Sequence, residues 1–233
     1  MKNNEIPLLP SQFYHIYNHA NGHENLFVKR ENYYFFLQRY ATFINPIADT
    51  FAYCLMPNHL HLLVRIKDED DLQTAYQQKI KLRAEANFPK VLTARAAPFR
   101  EVEGENFREV EVDTMSKFVS REFGSLFSSY SQAFNKQQNR KGSLFIPNFK
   151  RKLIDTEDYF TQLVHYIHAN PVHHGFVRRF TDWEFSSYHA FLSDKNTNLQ
   201  RDEVLGWFGG VNDFKKFHDG MPIKNDMVLE LEY

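Results

Sequence analysis

The sharpest pattern of apolar and polar positions begins after Pro57. His59-Leu60-His61-Leu62-Leu63-Val64-Arg65-Ile66 is apolar-rich and free of Gly and Pro until the charges at Lys67-Asp68-Glu69-Asp70-Asp71, which predicts a strand. Thr50 to Leu55 predicts its hairpin partner, joined through Met56-Pro57-Asn58. Gln12 to Asn18 predicts a further strand, with Phe13, His15 and Tyr17 on one face and Tyr14 and Ile16 on the other. Helical spacing is clear at Arg30 to Ile44 (Tyr34, Leu37, Tyr40, Ala41, Ile44), which Pro46 ends. It is clearer still at Ser116 to Asn135 (Phe118, Phe123, Leu126, Phe127, Tyr130, Phe134). Leu72 to Ala86 is a weaker helix, and Phe88 to Asp113 reads as an irregular excursion or an extra hairpin. Ser143 to Lys152 is expected to be extended. Thr156 to Ala169 predicts a helix with Thr156 as N-cap, Glu157 and Asp158 in the first turn, and Asn170-Pro171 closing it. Trp183 to Leu192 opens a C-terminal section with further segments at Asp202 to Phe208 and Asn212 to His218, followed by a tail. The order predicts an α+β fold, an antiparallel sheet with helices on one face.

Composition narrows the class. A chain of 233 residues with 42% hydrophobic content can bury one substantial core, or a core plus an appendage. Of its 23 Phe and 12 Tyr, many must fill the core and some are candidate stacking platforms. No apolar run approaches about 18 residues, so no membrane span is expected. The first residues, Met1-Lys2-Asn3-Asn4-Glu5-Ile6-Pro7, lack a signal-peptide core. Cys54 is the single cysteine, which excludes an intrachain disulfide and suits a cytoplasmic location. The net charge of −1 gives no global electrostatic argument for nucleic acid. Locally the balance differs. Lys136, Arg140, Lys141, Lys150, Arg151 and Lys152 fall in one stretch without an acid, while Glu101 to Asp113 is strongly acidic.

Two patterns carry candidate chemistry. On a strand, His59 and His61 share a face while Leu60 and Leu62 point away, so two imidazoles stand side by side on a rigid element. That is a natural two-ligand site for a divalent metal. The ordinary alternative is a pair of half-buried histidines bonded to neighbours. On the helix of Thr156 to Ala169, Leu163, Val164 and Ile167 form an apolar stripe, and Tyr166 and Asn170 lie one turn apart on a common face. An Asn carbonyl is a competent ligand for a hard metal, and a tyrosine beside it is a nucleophile. The ordinary alternatives are a tyrosine bonded locally and an Asn that caps the helix before proline. Spacing alone leaves both pairs of readings open.

These residues also carry a resemblance. The sequence is similar to the HUH single-tyrosine transposases of small bacterial insertion sequences, and most to their domesticated relatives, the REP-associated tyrosine transposases. The matching segments are Tyr14-His15-Ile16-Tyr17-Asn18, Ala52 to Val64, Gly142-Ser143-Leu144-Phe145, Phe149-Lys150, Tyr166 to Val177 and Trp183-Glu184-Phe185-Ser186-Ser187-Tyr188, in the family's order. The most specific are Met56-Pro57-Asn58-His59-Leu60-His61-Leu62-Leu63 and the Tyr-x-x-x-Asn-Pro-Val run from Tyr166. The resemblance implies a ferredoxin-like (RRM-like) antiparallel sheet flanked by helices, in a catalytic domain over residues 8–190 with an insertion at about 68–115. Residues 191–233 would be a C-terminal helical extension and tail.

The resemblance further implies Mg²⁺ or Mn²⁺ held by His59, His61 and Asn170, and Tyr166 as the nucleophile that forms a 5′-phosphotyrosine. Single-stranded or hairpin DNA would be the substrate, with Lys150, Arg151 and Lys152 on its phosphates. Three features depart from the family: the long acidic excursion, His19 where many relatives place Arg, and Val172-His173-His174-Gly175 where Arg and Ala are commoner. His173 and His174 are candidates for phosphate contact and are left out of the metal set. Two competing functions stay open, a domesticated nucleic-acid-binding protein that does not cleave and a metal-dependent nuclease that uses water. A homodimer also stays open, since some relatives exchange the tyrosine helix between subunits.

Overall fold

A computed structural model describes residues 6–87 and 106–221. The strands are β1 (Phe13–His19), β2 (Ala48–Leu55), β3 (His59–Ile66) and β4 (Lys150–Ile154). They form one sheet in the order β2-β3-β1-β4, and every neighbouring pair is antiparallel. Helix α1 (Arg30–Phe43) connects β1 to β2, and α2 (Glu69–Asn87) and α3 (Asn106–Gln137) lie between β3 and β4. This is the ferredoxin-like arrangement that the resemblance implied. Helix α4 (Glu157–His173) follows β4, and the short α5 (Tyr188–Phe191), α6 (Arg201–Phe208) and α7 (Val211–Gly220) complete the described chain. None of the helices among the described residues is long and apolar enough to cross a membrane.

Helices cover both faces of the sheet, not one. Tyr14, Ile16, Leu60, Leu62 and Val64 pack against α1 and α3 through Phe36, Phe123 and Tyr130. Phe51, Ala52 and Leu63 pack on the other face against Leu163, Val164 and Ile167 of α4 and Phe214 of α7. The sequence held the signal. Seven of the eight β3 residues are buried, and a strand buried on both faces loses its apolar–polar alternation. The free edge of β2 is covered by the segment that follows α4. Leu55 N–H donates to Phe185 O (2.9 Å), Ser187 N–H to Tyr53 O (2.9 Å) and Gln200 N–H to Thr50 O (2.9 Å).

Two helix boundaries differ from expectation. The chain is helical from Asn106, where the alternating Glu and Val suggested an excursion or hairpin up to Asp113. No Gly or Pro after Gly104 stops the α3 pattern from extending towards the N-terminus. The rest of that excursion and the final tail lie outside the described residues. Helix α4 runs through Pro171 to His173 instead of closing at Asn170-Pro171. The proline's fixed φ suits a helix, although it forfeits the bond to the Ile167 carbonyl and its ring crowds that carbonyl. The stop comes at Gly175, with φ 71°. Phe176 N–H donates to Pro171 O (2.8 Å) and Gly175 N–H to Val172 O (3.0 Å), the paired bonds of a Schellman motif that needs a left-handed residue at Gly175. At the other end, Thr156 sits at the N-cap position in extended conformation but makes no side-chain cap bond.

A buried polar network also ties α4 down. His168 Nε2 is 2.7 Å from Ser187 Oγ, which accepts from Tyr53 N–H (2.9 Å), and His168 Nδ1 is 2.9 Å from His218 Nε2 on α7. His218 Nδ1 donates to Phe214 O (2.8 Å). Burial pushes the His218 imidazole down to about 3, against the smaller opposing effect of the Phe214 bond. A histidine depressed in the folded state stabilises fully above its unfolded value of about 6.5 and loses that contribution as pH falls towards the folded value. The slope is about 1.4 kcal/mol per pH unit, so His218 alone should cost about 2 kcal/mol between neutral pH and pH 5. Denaturant unfolding at the two pH values should show wild type losing about that much more than His218→Gln, whose amide oxygen keeps an acceptor for His168. Equal losses would place the acid sensitivity elsewhere.

Candidate metal and nucleophile site

The strand period sends His59, His61 and Leu63 to the face that α4 covers, and Leu60, Leu62 and Val64 to the other. Pairing with β1 adds to that face, because His19 lies opposite His59 and Tyr17 opposite His61. His19 lies over His59 with centroids 4.6 Å apart, and His15, His61 and Tyr17 form a near-parallel group with centroids 4.9 to 5.9 Å apart. The turn before β3 is fixed from outside, since Pro57 O accepts from Leu26 N–H (2.6 Å) and Asn58 O from Ala20 N–H (2.7 Å).

Helix α4 brings Tyr166 and Asn170 down onto this face. Asn170 Oδ1 is 3.2 Å from His59 Nε2, and the Tyr166 ring stands 5.5 Å from His61, edge to face. His59, His61 and Asn170 are fully buried and Tyr166 is 2% exposed. The four side chains singled out on two separated segments thus meet in one place.

The chemistry of the donor atoms fits a cation. A carbonyl oxygen only accepts, so His59 Nδ1 carries the proton it shares with Asn58 Oδ1 (2.8 Å). In the neutral ring, Nε2 then presents a lone pair to Asn170 Oδ1, another acceptor, an opposition that either a shared cation or a turn of the amide to donate Nδ2–H to His59 resolves. His61 Nδ1 lies 2.9 Å from His15 Nε2, while His61 Nε2 and Asn170 Nδ2 are buried without a hydrogen-bond partner. Donation from His61 Nδ1 to His15 leaves Nε2 as a bare lone pair, the outer-partner arrangement common behind metal-bound imidazoles. Burial, reinforced by the neighbouring His15, His59, His19 and His174, holds His61 well below its usual range and therefore neutral. Among the described residues no three His, Cys, Asp or Glu side chains converge to hold a metal. The third ligand available here is the Asn170 amide oxygen, and the whole set carries no formal charge.

The basic run divides. Along β4, Lys150 pairs with Tyr17 and Lys152 with His15, so both face the histidines, while Arg151 pairs with Ile16 and faces α3. Lys150 Nζ stands 5.9 Å from the Tyr17 ring, and Lys152 Nζ is 3.4 Å from Tyr159 Oη. Arg151 donates to Ser120 Oγ (2.8 Å) and lies 4.7 Å over Phe149.

Sequence reasoning missed His15 and Asn58 as partners behind the two imidazoles. Tyr-His-Ile-Tyr-Asn-His gave the correct face for His15, but only the β1–β3 register shows that it abuts His61. His174 packs its ring 4.4 Å from His59, outside the donor set, and His173 is exposed.

No family model matches the chain. It is similar to a protein of Haemophilus influenzae Rd assigned as a REP-associated tyrosine transposase, with 24% identity over 141 residues, 60% of this chain and 59% of that protein. It is also similar to the REP-associated tyrosine transposase of Escherichia coli K12, with 37% identity over 73 residues, 31% of this chain and 40% of that protein. The chain therefore matches less than two thirds of the length of either relative. A solved structure of a REP-associated tyrosine transposase bound to a REP hairpin superposes with a TM-score of 0.47 at 17% identity, covering 82% of this chain and 84% of that one. That likeness is too distant to decide anything the strand order has not already decided.

The burial of His61 has a direct spectroscopic consequence. Imidazole ¹⁵N shifts should show it still neutral as pH falls through the ordinary histidine value of about 6.5, with no transition there. Protonation near that value would contradict the environment described here.

Proposed function

We propose that this chain, a relative of the REP-associated tyrosine transposases, cleaves and rejoins single-stranded or hairpin DNA. Tyr166 is the nucleophile, and His59, His61 and Asn170 hold a divalent cation, Mg²⁺ or Mn²⁺. The observation that carries the reading is the meeting of the Tyr166–Asn170 face of α4 with the His59–His61 face of β3.

When bound, such a cation supplies Lewis-acid polarisation of a phosphate oxygen. The chain's own residues do the rest. Tyr166 Oη attacks phosphorus and forms a P–O bond as the bond to the 3′-oxygen breaks. The tyrosine proton passes to solvent, and the departing 3′-oxygen takes one up. The products are a 5′-phosphotyrosine and a free 3′-hydroxyl, and attack by another 3′-hydroxyl reverses the step and rejoins DNA without a nucleotide cofactor. Lys150 and Lys152, on the same face, are suited to the phosphates that flank the reacting one. Because the ligand set is uncharged, the DNA phosphate supplies the charge that balances the cation, and DNA should tighten metal binding.

One observation favours a second reading, DNA binding without cleavage. Tyr166 is only 2% exposed, so its hydroxyl reaches a phosphate only if the side chain or the end of α4 shifts. Pro171, which offers no N–H to the Ile167 carbonyl, weakens α4 at the turn where such a shift would occur.

The test is incubation with labelled hairpin-containing single-stranded DNA and Mn²⁺, followed by denaturing electrophoresis. Wild type should give a protein–DNA adduct, and Tyr166→Phe should give none, with cleavage reduced at least about a thousandfold. Cleavage that survives Tyr166→Phe without an adduct would mean attack by water. An adduct that survives it would move the nucleophile elsewhere. Absence of both activities over varied hairpins would leave the binding-only reading.

Metal binding is separable from chemistry. Calorimetric titration with Mn²⁺ should show His61→Ala and Asn170→Ala weakening affinity by at least about tenfold. His15→Phe, which removes only the partner behind His61, should weaken it by about tenfold. Unchanged affinity in all three would remove the metal from this site.

A further inference from the structure

Arg151 opens onto a part of the molecule that the reaction does not use. On the face of the sheet away from Tyr166, a groove runs between α3 and the segment 143–151. Two cavities of about 470 and 420 Å³ adjoin there, on either side of the Arg151–Ser120 hydrogen bond (2.8 Å) that bridges the groove. One end reaches Asn18, the residue before His19, whose β3 partner is His59. The other end reaches Pro7, Lys117 and Arg121. The groove therefore lies on the face opposite His59 and His61 and runs from beside Asn18 along the outer strand of the sheet.

Its lining suits a phosphodiester backbone. Hydroxyls come from Ser120, Ser128 and Ser131, and cations from Arg151, Lys117 and Arg121. Asp113 is the one carboxylate among the lining residues, and it is ion-paired with Lys117 at 2.5 Å. Ile146, 43% exposed, and Pro147 offer apolar surface along the same groove, which unstacked bases can use and a duplex cannot. The alternation of β4 then acquires a purpose. Lys150 and Lys152 face the tyrosine side and Arg151 faces the groove, so a strand passing round this edge meets cations on both faces.

Gly124 is an independent observation. It lies inside α3 and lines the groove. A Cβ added there would meet no atom within 4 Å, and its φ is not in the left-handed region. Neither close packing nor backbone conformation requires glycine, yet glycine inside a helix costs about 1 kcal/mol relative to alanine. A methyl would fit there, whereas a longer side chain would project into the groove.

We propose that the groove between α3 and β4 holds the backbone of a single-stranded DNA segment continuing from the candidate cleavage site round the β4 edge, a path that a small residue at position 124 leaves clear. The proposal rests on the DNA-processing reading above, and its test is kept independent of the chemistry.

In a Tyr166→Phe background, fluorescence anisotropy would compare a bare hairpin with the same hairpin carrying a single-stranded extension. The extension should strengthen binding. Gly124→Glu, which places an acid in the groove, should weaken binding of the extended DNA by about tenfold while changing the bare hairpin little. Arg121→Glu, on the exposed surface, should act in the same direction. Gly124→Ala should bind as its parent and, as a check on folding, unfold at the same or a higher temperature. An extension that adds no affinity, or a Gly124→Glu protein that binds it as tightly as the parent, overturns the groove and leaves the cleavage reading standing. A parent that binds neither DNA overturns both.

Discussion

The site depends on α4 lying flat across β2 and β3. Leu163, Val164 and Ile167 are fully buried against Phe51, Ala52 and Leu63. At about 1.5–3 kcal/mol for each buried aliphatic side chain, the three α4 residues contribute roughly 5–9 kcal/mol to that seam. The same contact buries His61 Nε2 and Asn170 Nδ2 without partners, and each such atom costs about 1–3 kcal/mol. The apolar seam outweighs the polar cost, so the helix stays down. The margin is narrow enough that a ligand meeting the unsatisfied atoms would return a sizeable share of it. A site that is held together by its neighbours and stabilised by its occupant is preorganised in the sense that binding and catalysis require.

Much of this was legible in the sequence, and the failures have physical causes. The bounds of β3 and the face of its histidines followed from local period alone, because a two-residue repeat leaves no other arrangement. The pairing of Tyr166 with Asn170 followed from helical spacing in the same way. What local pattern could not supply was register between distant strands. His15 was on the correct face of β1, but its place behind His61 is set by the β1–β3 ladder, 46 residues away in sequence. Lys150, Arg151 and Lys152 read as one basic cluster until the strand period divided them between two faces. The end of α4 was misread because the rule for a residue before proline is a tendency, whereas Gly175 in the left-handed region is a hard stop. The second layer of helices was missed because β3 was read for its alternation and not for its near-continuous burial.

The site is neutral, buried and complete within one chain. His59, His61, Tyr166 and Asn170 all meet without a second copy. Uncharged ligands hold a dication weakly in isolation, and an anionic substrate is the natural source of the missing charge. On the proposed function, that would couple metal, DNA and the movement of Tyr166 into one event. The polar network from His168 through Ser187 to Tyr53 anchors α4 two residues beyond Tyr166, while Pro171 loosens the turn after it. The anchor at His168 and the weakened turn at Pro171 thus both lie C-terminal to Tyr166, within two turns of it.

The most direct measurement is the chemical identity of the bond between protein and DNA. Nuclease and protease digestion of the denatured adduct, followed by mass spectrometry, would locate the nucleotide on a peptide and define its linkage. A nucleotide joined to Tyr166 through its 5′-phosphate is the predicted result. A nucleotide on any other residue, or one joined through a 3′-phosphate, would contradict it.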